Sequence, residues 1–442
     1  MSLDLLAHLL ENARVAGADR ADAMLVARTS LSVERRLGST ETLERSESRD
    51  LGLRVFCGSK SAIVSASSVD PARFAAFAER AVAMARVVPD DPFADLCEEA
   101  TAPESADGLD LLDSSEPELA ALIARAEAAE AAALAVSGVT NSEGGSAGFG
   151  RTEIWLATSA GFAGQFARSS HSVSASVIAG SGTAMQRDYD YHSTMHLADL
   201  DDPAVIGHSA GERAVSRLNP TRPKTAQMPV VYDPRVSASL VGHLSGAING
   251  ASIARGTSFL KDRMGQRLFA AGVFIHDDPR RVRGSRSATF DGEGVKTRPT
   301  TLIEDGVLTT WLLDSRSARQ LGLRTTGHAS RGPGGPPGPS ATNLYMAAGE
   351  ASPAELMADI AEGVYVTELI GMGLNGMTGD YSRGAAGFMI RNGALAEPVA
   401  EITIAGNLLE MFAVLVPAND LVFRRGTDAP TVRVDGLTVA GA

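Results

Sequence analysis

The chain has 442 residues, 44% of them apolar and 21% charged, with a formal net charge of −13. That length exceeds what one hydrophobic core usually serves, so two domains are expected, and the acidic balance argues against direct nucleic-acid binding. Two cysteines, Cys57 and Cys97, are too few for a disulfide framework, and no apolar run approaches the roughly eighteen residues of a membrane span.

The first segment reads as an amphipathic helix with Leu3, Leu6, Leu9 and Leu10 on one side. Its Asp4 and Glu11 do not suit a secretory leader, so a cytoplasmic location is expected. Residues 23–36 and 42–68 read as strands with glycine-containing turns. Asp70-Pro71 starts a helix whose Phe74, Phe77, Ala81, Met84 and Val88 recur at helical spacing. Residues 89–118, acidic and rich in Pro, Asp and Ser, read as a long surface loop. The string Gly144-Gly-Ser-Ala-Gly148 matches a nucleophile elbow on paper, but no helix pattern follows it and it reads as a turn. Strands are expected again at 153–157 and 165–178.

His192 and His196 are four apart and would share a face, but no carboxylate ligand stands beside them in sequence. Asp202-Pro203 and Asp233-Pro234 repeat the Asp-Pro helix start. Between them, residues 219–227 form the best linker candidate, dividing an N-terminal part (1–218) from a C-terminal one (228–442). His276-Asp277-Asp278-Pro279 reads as a turn before it reads as a ligand cluster. Arg280, Arg281, Arg283 and Arg286 read as a solvated basic loop. The tract GPGGPPGP at 332–339 cannot hold a helix or an interior strand and is expected to be mobile. Ser352-Pro353-Ala-Glu355 is a capping box, with Gly363 closing its helix.

Residues 371–388, GMGLNGMTGDYSRGAAGF, carry six glycines around Asp380, Tyr381, Ser382 and Arg383. Gly371-Met-Gly373-Leu-Asn-Gly376 spells the dinucleotide fingerprint G-x-G-x-x-G after an apolar run. That fingerprint requires a helix to follow, and Gly379, Gly384 and Gly387 make one unfavourable. No Gly-Lys-Ser/Thr occurs for a phosphate loop. The glycines are better read as sites of positive φ and close packing, with Gly379 or Gly384 left-handed. The mixed order of elements gives an α+β class, an N-terminal α/β layer domain followed by a C-terminal domain dominated by antiparallel β-structure.

Several longer motifs carry a resemblance. RGTSFLKDRMG (255–265), FDGEGVKT (290–297), GVLTTWLLDSRSARQLGL (306–323), TGDYSRGAAGF (378–388) and PVAEITIAGNL (398–408) together resemble the PmbA/TldE branch of the TldD/PmbA family, long described as modulators of DNA gyrase; MQRDYDY (185–191) extends the likeness into the first half. The TldD-type members resemble zinc proteases with an H-E-x-x-x-H helix and a downstream cysteine ligand. Counting from Arg255, this sequence places Val241 and Gly246 in the histidine slots, Gly242 in the glutamate slot and Ile402 in the cysteine slot. His243 falls outside the slots.

The resemblance therefore implies a subunit with no catalytic or metal-binding residue and no cofactor of its own. Zinc is expected on a TldD-type partner, and the complex is expected to act on unfolded peptides such as bacteriocin precursors and antitoxins. The isolated chain is expected to form a homodimer. Asn375, Asp380, Tyr381, Ser382, Arg383, Glu401 and Asn407 are the candidate peptide-binding or interface residues, with Asp380 and Arg383 paired and the loop backbone open to strand addition. The alternative is that this loop only packs the C-terminal sheet. Two other functions stay open: a peptidase with an unrecognised metal site at His192 and His196, and a binding protein that modulates DNA gyrase or its inhibitors.

Overall fold

Alternation of side chains along the long strands decides the layering of the first half. The computed structural model describes residues 2–441. After α1 (Ser2–Val15) come β1 (Arg20–Arg36), β2 (Ser39–Cys57), β3 (Lys60–Ala66), α2 (Phe74–Val87), α3 (Leu119–Leu134), β4 (Val139–Thr158), β5 (Ala163–Ala179), β6 (Gln186–Thr194) and α4 (Pro203–Ser216). The strands form one antiparallel sheet in the order β3-β2-β1-β4-β5-β6. On β1, Ala23 and Leu25 face a core shared with α1 and α2. Val33 meets Leu122 and Ala126 of α3, and Val173 and Val177 meet α4. The intervening residues Met24 and Val26 pack with Leu156, Phe166 and Phe290 on the opposite face. All four helices thus cover one face, and the other is turned to the second half of the chain.

The second half runs β7 (Ala226–Tyr232), α5 (Pro234–Ala247), α6 (Gly250–Ala254), β8 (Ile275–Asp277), β9 (Thr300–Glu304), β10 (Val307–Leu308), α7 (Ser315–Leu321), β11 (Ala329–Ser330), β12 (Gly338–Pro339), β13 (Leu344–Met346) and α8 (Pro353–Met357). It ends with β14 (Glu362–Ile370), β15 (Asp380–Arg391), β16 (Ala394–Asn407), α9 (Leu408–Val414), β17 (Val416–Pro417), β18 (Thr427–Asp428) and β19 (Val432–Ala440). One sheet has the order β16-β15-β14-β7-β19-β17, and β16 also pairs with β19 through residues 403–405, closing the sheet into a barrel. A second sheet, β10-β9-β8-β13-β18, adjoins it. Both sheets and α5 share a single large core. No described helix is long and apolar enough to cross a membrane.

The α+β class is observed, and the Asp-Pro starts work as read. Asp70, Asp202 and Asp233 each accept the backbone N–H two residues on, at 3.0, 2.8 and 2.8 Å. The Ser352–Glu355 capping box also forms.

Other local expectations are corrected. In α2 the buried stripe is Phe74, Ala78, Ala81, Val82 and Ala85, while Met84 is 43% exposed. A 3-10 turn occupies residues 71–73, so the helix begins late, and Val88 already lies extended beyond it. Gly144 to Gly148 are not a turn but lie inside β4, with a bulge at Ser142/Gly144. Their missing side chains are needed: a Cβ on Gly145 would stand 2.3 Å from the Ala126 carbonyl of α3. Gly363 does not close α8, which ends at Met357; it lies in β14.

The acidic segment 89–118 is clasped rather than free. Leu96, Cys97, Leu109 and Leu111 are buried, Arg319 donates to the Phe93 carbonyl at 3.1 Å, and Arg316 pairs with Asp91 at 2.7 Å. Two of the arginines read as a solvated run, Arg280 and Arg283, also hold it. Arg280 meets Glu104 at 3.1 Å and Arg283 meets Asp110 and Asp199 at 2.6 and 2.9 Å. The proline-glycine tract is likewise docked: its flanks pair as β11 and β12, and the Pro333 carbonyl approaches Gly52 of β2 so closely that a Cβ there would stand 2.0 Å away.

Candidate functional site

The slots singled out on α5 and β16 are the first place to look for chemistry. Val241 and Ile402 are both buried in the large apolar core. Gly242 and Gly246 point outward, with nothing within 4 Å of where a Cβ would be. A protein-held zinc takes nitrogen, oxygen or sulfur donors, and a valine, two glycines and an isoleucine offer none from their side chains. These residues do not fit the metal. Among the described residues no group of three His, Cys, Asp or Glu is placed to hold an ion. His192 and His196 do not converge either. His192 faces Asp201 at 3.2 Å, while His196 Nε2 lies 2.9 Å from the Asp110 carbonyl.

Beside the slots lies a small buried polar group. Tyr232 of β7 and Tyr381 of β15 are fully buried, and their hydroxyls face only each other, without good hydrogen-bond geometry. His243 of α5 sets its ring edge-on to Tyr381, centroids 5.9 Å apart, with its Nε2 also unbonded. Burial pushes the Tyr381 phenol up to about 12 and Tyr232 well above its ordinary value, and burial plus the Arg383 charge push His243 down. The cluster is therefore neutral at pH 7. It has no carboxylate to orient the imidazole and no nucleophile beside it, so it can shape a surface but lacks the partners of a hydrolytic site.

Above it sits the glycine-rich segment, and only its first part is a loop. Residues from Asp380 onward form β15, paired with β16 on one side and with β14 on the other. Gly379 is left-handed (φ +82°), as read, whereas Gly384 is extended. Close packing explains two other glycines: a Cβ on Gly373 would stand 1.5 Å from the Ser382 carbonyl, and one on Gly387 would stand 1.9 Å from that of Tyr365. The glycines thus admit this chain's own backbone. With Ser382 N–H donating to the Gly373 carbonyl at 2.7 Å, β15 presents no free edge for strand addition.

Of the seven candidate residues, three come together. Asp380 accepts from Thr378 Oγ1 at 2.6 Å and from Asn407 Nδ2 at 3.2 Å. Asn407 also donates to the Thr378 carbonyl and accepts from Leu409 N–H, capping α9. Asn375 Oδ1 accepts from Met377 N–H at 3.0 Å, and its backbone N–H donates to the Asp380 carbonyl. Tyr381 lies beneath this hub, and Ser382 is exposed. Arg383 does not pair with Asp380; its Nε donates to the Ile370 carbonyl at 3.3 Å. Three residues apart on a strand, the two side chains leave on opposite faces. Glu401 stands apart at a bulge, with φ +55° and an ion pair to Arg222.

Two features of the site escaped the sequence. Tyr232 and His243 meet Tyr381 only once β7, β14 and β15 lie side by side under α5, and nothing local marks them. The apolar tip was not read either, although its residues lie in or beside the glycine-rich segment: Ile370, Met372 and Met377 are 57, 95 and 63% exposed.

With that geometry in view, comparison with known proteins is informative. The PmbA/TldA metallopeptidase domain 1, central domain and C-terminal domain match residues 21–85, 112–218 and 225–441. The chain is 36% identical over 427 residues to the metalloprotease PmbA of Escherichia coli O157:H7, covering 96% of this chain and 92% of that protein. A solved protein from Bacteroides thetaiotaomicron superposes with a TM-score of 0.91 at 25% identity, covering 99% of this chain and 98% of that one. TldE from Thermococcus kodakarensis shares the fold at a TM-score of 0.87 and 18% identity, covering 99% of this chain and all of that one.

Proposed function

This chain belongs to the PmbA/TldD metallopeptidase family, and from that premise we propose that it is a noncatalytic subunit working beside a zinc-bearing TldD-type chain on unfolded peptides. The observation that carries this reading is the donor-free set Val241, Gly242, Gly246 and Ile402, two of them sealed in the core. Without ligands there is no protein-held metal to lower the pKa of a water or polarise a peptide carbonyl. The exposed Ile370, Met372 and Met377 support a subunit role, since an apolar tip on a rigid loop suits a partner's surface. In isolation the same surface would favour a homodimer.

The test is a peptidase assay of the purified chain on an unfolded peptide with added zinc, repeated with a TldD-type subunit. The expected result is no cleavage alone and chelator-sensitive cleavage with the partner. Chelator-sensitive cleavage by this chain, free of any copurifying partner, would overturn the reading.

A further inference from the structure

Where the end of β6 meets the loops of the second half, four arginines line one pocket of about 330 Å³: Arg281, Arg283, Arg424 and Arg425. His192 lines it from the first half, and Asp199 is the one acidic residue of the lining. Val282 and Phe423, both exposed, give it an apolar rim. The Phe423 ring is held in place by the Arg281 guanidinium, 4.4 Å from its centroid, and by Tyr345 edge-on at 5.1 Å. In a chain of net charge −13, four arginines around one small opening are a local reversal of sign.

Part of that charge is matched from within. Arg283 gives Nε to Asp110 and Nη1 to Asp199, at 2.6 and 2.9 Å. Arg424 gives Nη2 to Asp201 and keeps Nε and Nη1 free on an exposed side chain. Asp428 is turned to the backbone N–H groups of Arg424 and Arg425, at 3.1 and 2.9 Å. Arg425 makes no ion pair with a described residue; only its Nη1 is bonded, to the Arg235 carbonyl at 3.1 Å. Its Nε and Nη2, the side-on fork of the guanidinium, are unbonded and are not sealed from solvent. The same holds for His192 Nε2: the ring is kept neutral at pH 7 by burial and accepts the Asp201 N–H on Nδ1 at 3.1 Å, so Nε2 carries the proton. The pocket thus offers reachable donors from both halves and almost no acceptors, at the lower end of the size range of small-ligand sites.

We propose that this pocket binds the phosphate group of a small phosphomonoester, held by the Arg425 fork, Arg424 and His192 Nε2, with its organic group against Phe423 and Val282. A phosphomonoester carries nearly two negative charges at pH 7 and three terminal acceptor oxygens. Donors that arrive from two halves of the chain suit a tetrahedral group, whose oxygens point in different directions, better than a flat carboxylate. The proposal does not rest on the noncatalytic reading, because it concerns binding to this chain alone.

Calorimetric titration of the full chain in low-salt, phosphate-free buffer tests it with three probes: phenyl phosphate, benzoate and inorganic phosphate. Phenyl phosphate is expected to bind saturably, and benzoate at least about tenfold more weakly, the scale of a lost hydrogen bond between charged groups. Arg425→Lys keeps the charge but removes the fork, and is expected to lose about tenfold or more in affinity. Arg424→Gln is expected to weaken binding with an unchanged circular dichroism spectrum. Phe423→Ala is expected to weaken phenyl phosphate while leaving inorganic phosphate as it was. No saturation at millimolar phenyl phosphate, benzoate binding as tightly, or wild-type affinity in both folded arginine variants would each overturn the proposal. Inorganic phosphate binding as tightly as phenyl phosphate would overturn the place given to Phe423.

Discussion

Around Asn407, exposed side chains satisfy one another. Asp380, Thr378, Asn375 and Asn407 close a ring of hydrogen bonds although solvent could serve them all. At the domain interface the reverse holds: the Arg331 side chain is wholly buried, yet two of its donors find no protein partner. An exposed network gains little net energy per bond but fixes one loop shape. A buried donor without a partner costs about 1–3 kcal/mol, so it persists only where fixed charge or a ligand compensates. The first region is organised to present a surface, the second to hold charge. Three perturbations break or sharpen this contrast.

The largest effect is expected at Asp22. Its carboxylate joins Arg54 of the same sheet, at 2.8 Å, to Arg331 from the other half of the chain. Burial alone would push its pKa up, but Arg331 and Arg54 outweigh that and hold it below the ordinary value. Asp22→Ala leaves two guanidinium groups buried without their counter-ion, which typically costs about 3–5 kcal/mol. Urea unfolding should show that loss, with the two halves separating as one transition or as two. A cost below about 1 kcal/mol would mean that the interface charges are solvated and that the contrast is overstated.

The second effect is a pH dependence with the unusual sign. Burial, and then the nearby Glu293 charge, push Asp291 up to about 7 from an ordinary 3.8, against three backbone N–H bonds that favour its charged form. A carboxyl raised in the folded state binds its proton more tightly there than in the unfolded chain. Its contribution to stability is thus fully present below pH 3.8 and is lost as pH rises toward about 7. Asp22, lowered in the fold, acts the other way, but over a window below the ordinary carboxylate pKa. Between about pH 5 and 7 the melting temperature of the wild type should therefore fall relative to that of Asp291→Asn, and the gap should stop changing above about pH 8. Parallel curves for the two proteins would show that Asp291 is ionised throughout.

The contrast also sorts what was legible in the sequence. Helix starts were, because Asp70, Asp202 and Asp233 cap through bonds spanning only two residues. Gly379 was, because a glycine before a polar strand is a local statement about φ. The buried face of α2 was legible in part: Phe74 and Ala81 are buried as read, while Ala78 and Ala85 are selected by close helix packing and Met84 is as apolar by composition. The Gly144 to Gly148 strand was missed because its glycines admit distant neighbours, α3 at Gly145, Arg35 of β1 at Gly144 and Ser172 of β5 at Gly148. Arg331 stands just before the tract read as mobile, and its partner Asp22 lies 309 residues away. The basic run and the acidic loop looked solvated apart, and only the fold brings them together. Within the candidate set, Asp380 and Asn407 were found through the resemblance; the role of each comes from hydrogen bonds across adjacent strands.

The smallest effect is expected at Asn407, and it separates shape from function in the hub. Asn407 Oδ1 caps α9 through Leu409 N–H at 3.0 Å, while its Nδ2 holds Thr378 and Asp380 of the loop. Asn407→Ala removes both roles, and loss of a cap alone costs about 1 kcal/mol. Asn407→Asp keeps an oxygen for the cap but loses the Nδ2 donor and sets a second carboxylate against Asp380, whose pKa is already held low by Thr378 and Asn407. Its global stability should therefore stay nearer the wild type than that of the alanine variant, while the loop carrying Met372 and Met377 loosens. Amide exchange at residues 375–380 should accelerate in the aspartate variant, with a weaker affinity for a TldD-type subunit. Unchanged exchange and affinity in Asn407→Asp would show that the hub only caps α9, and that the loop owes its shape to its glycines.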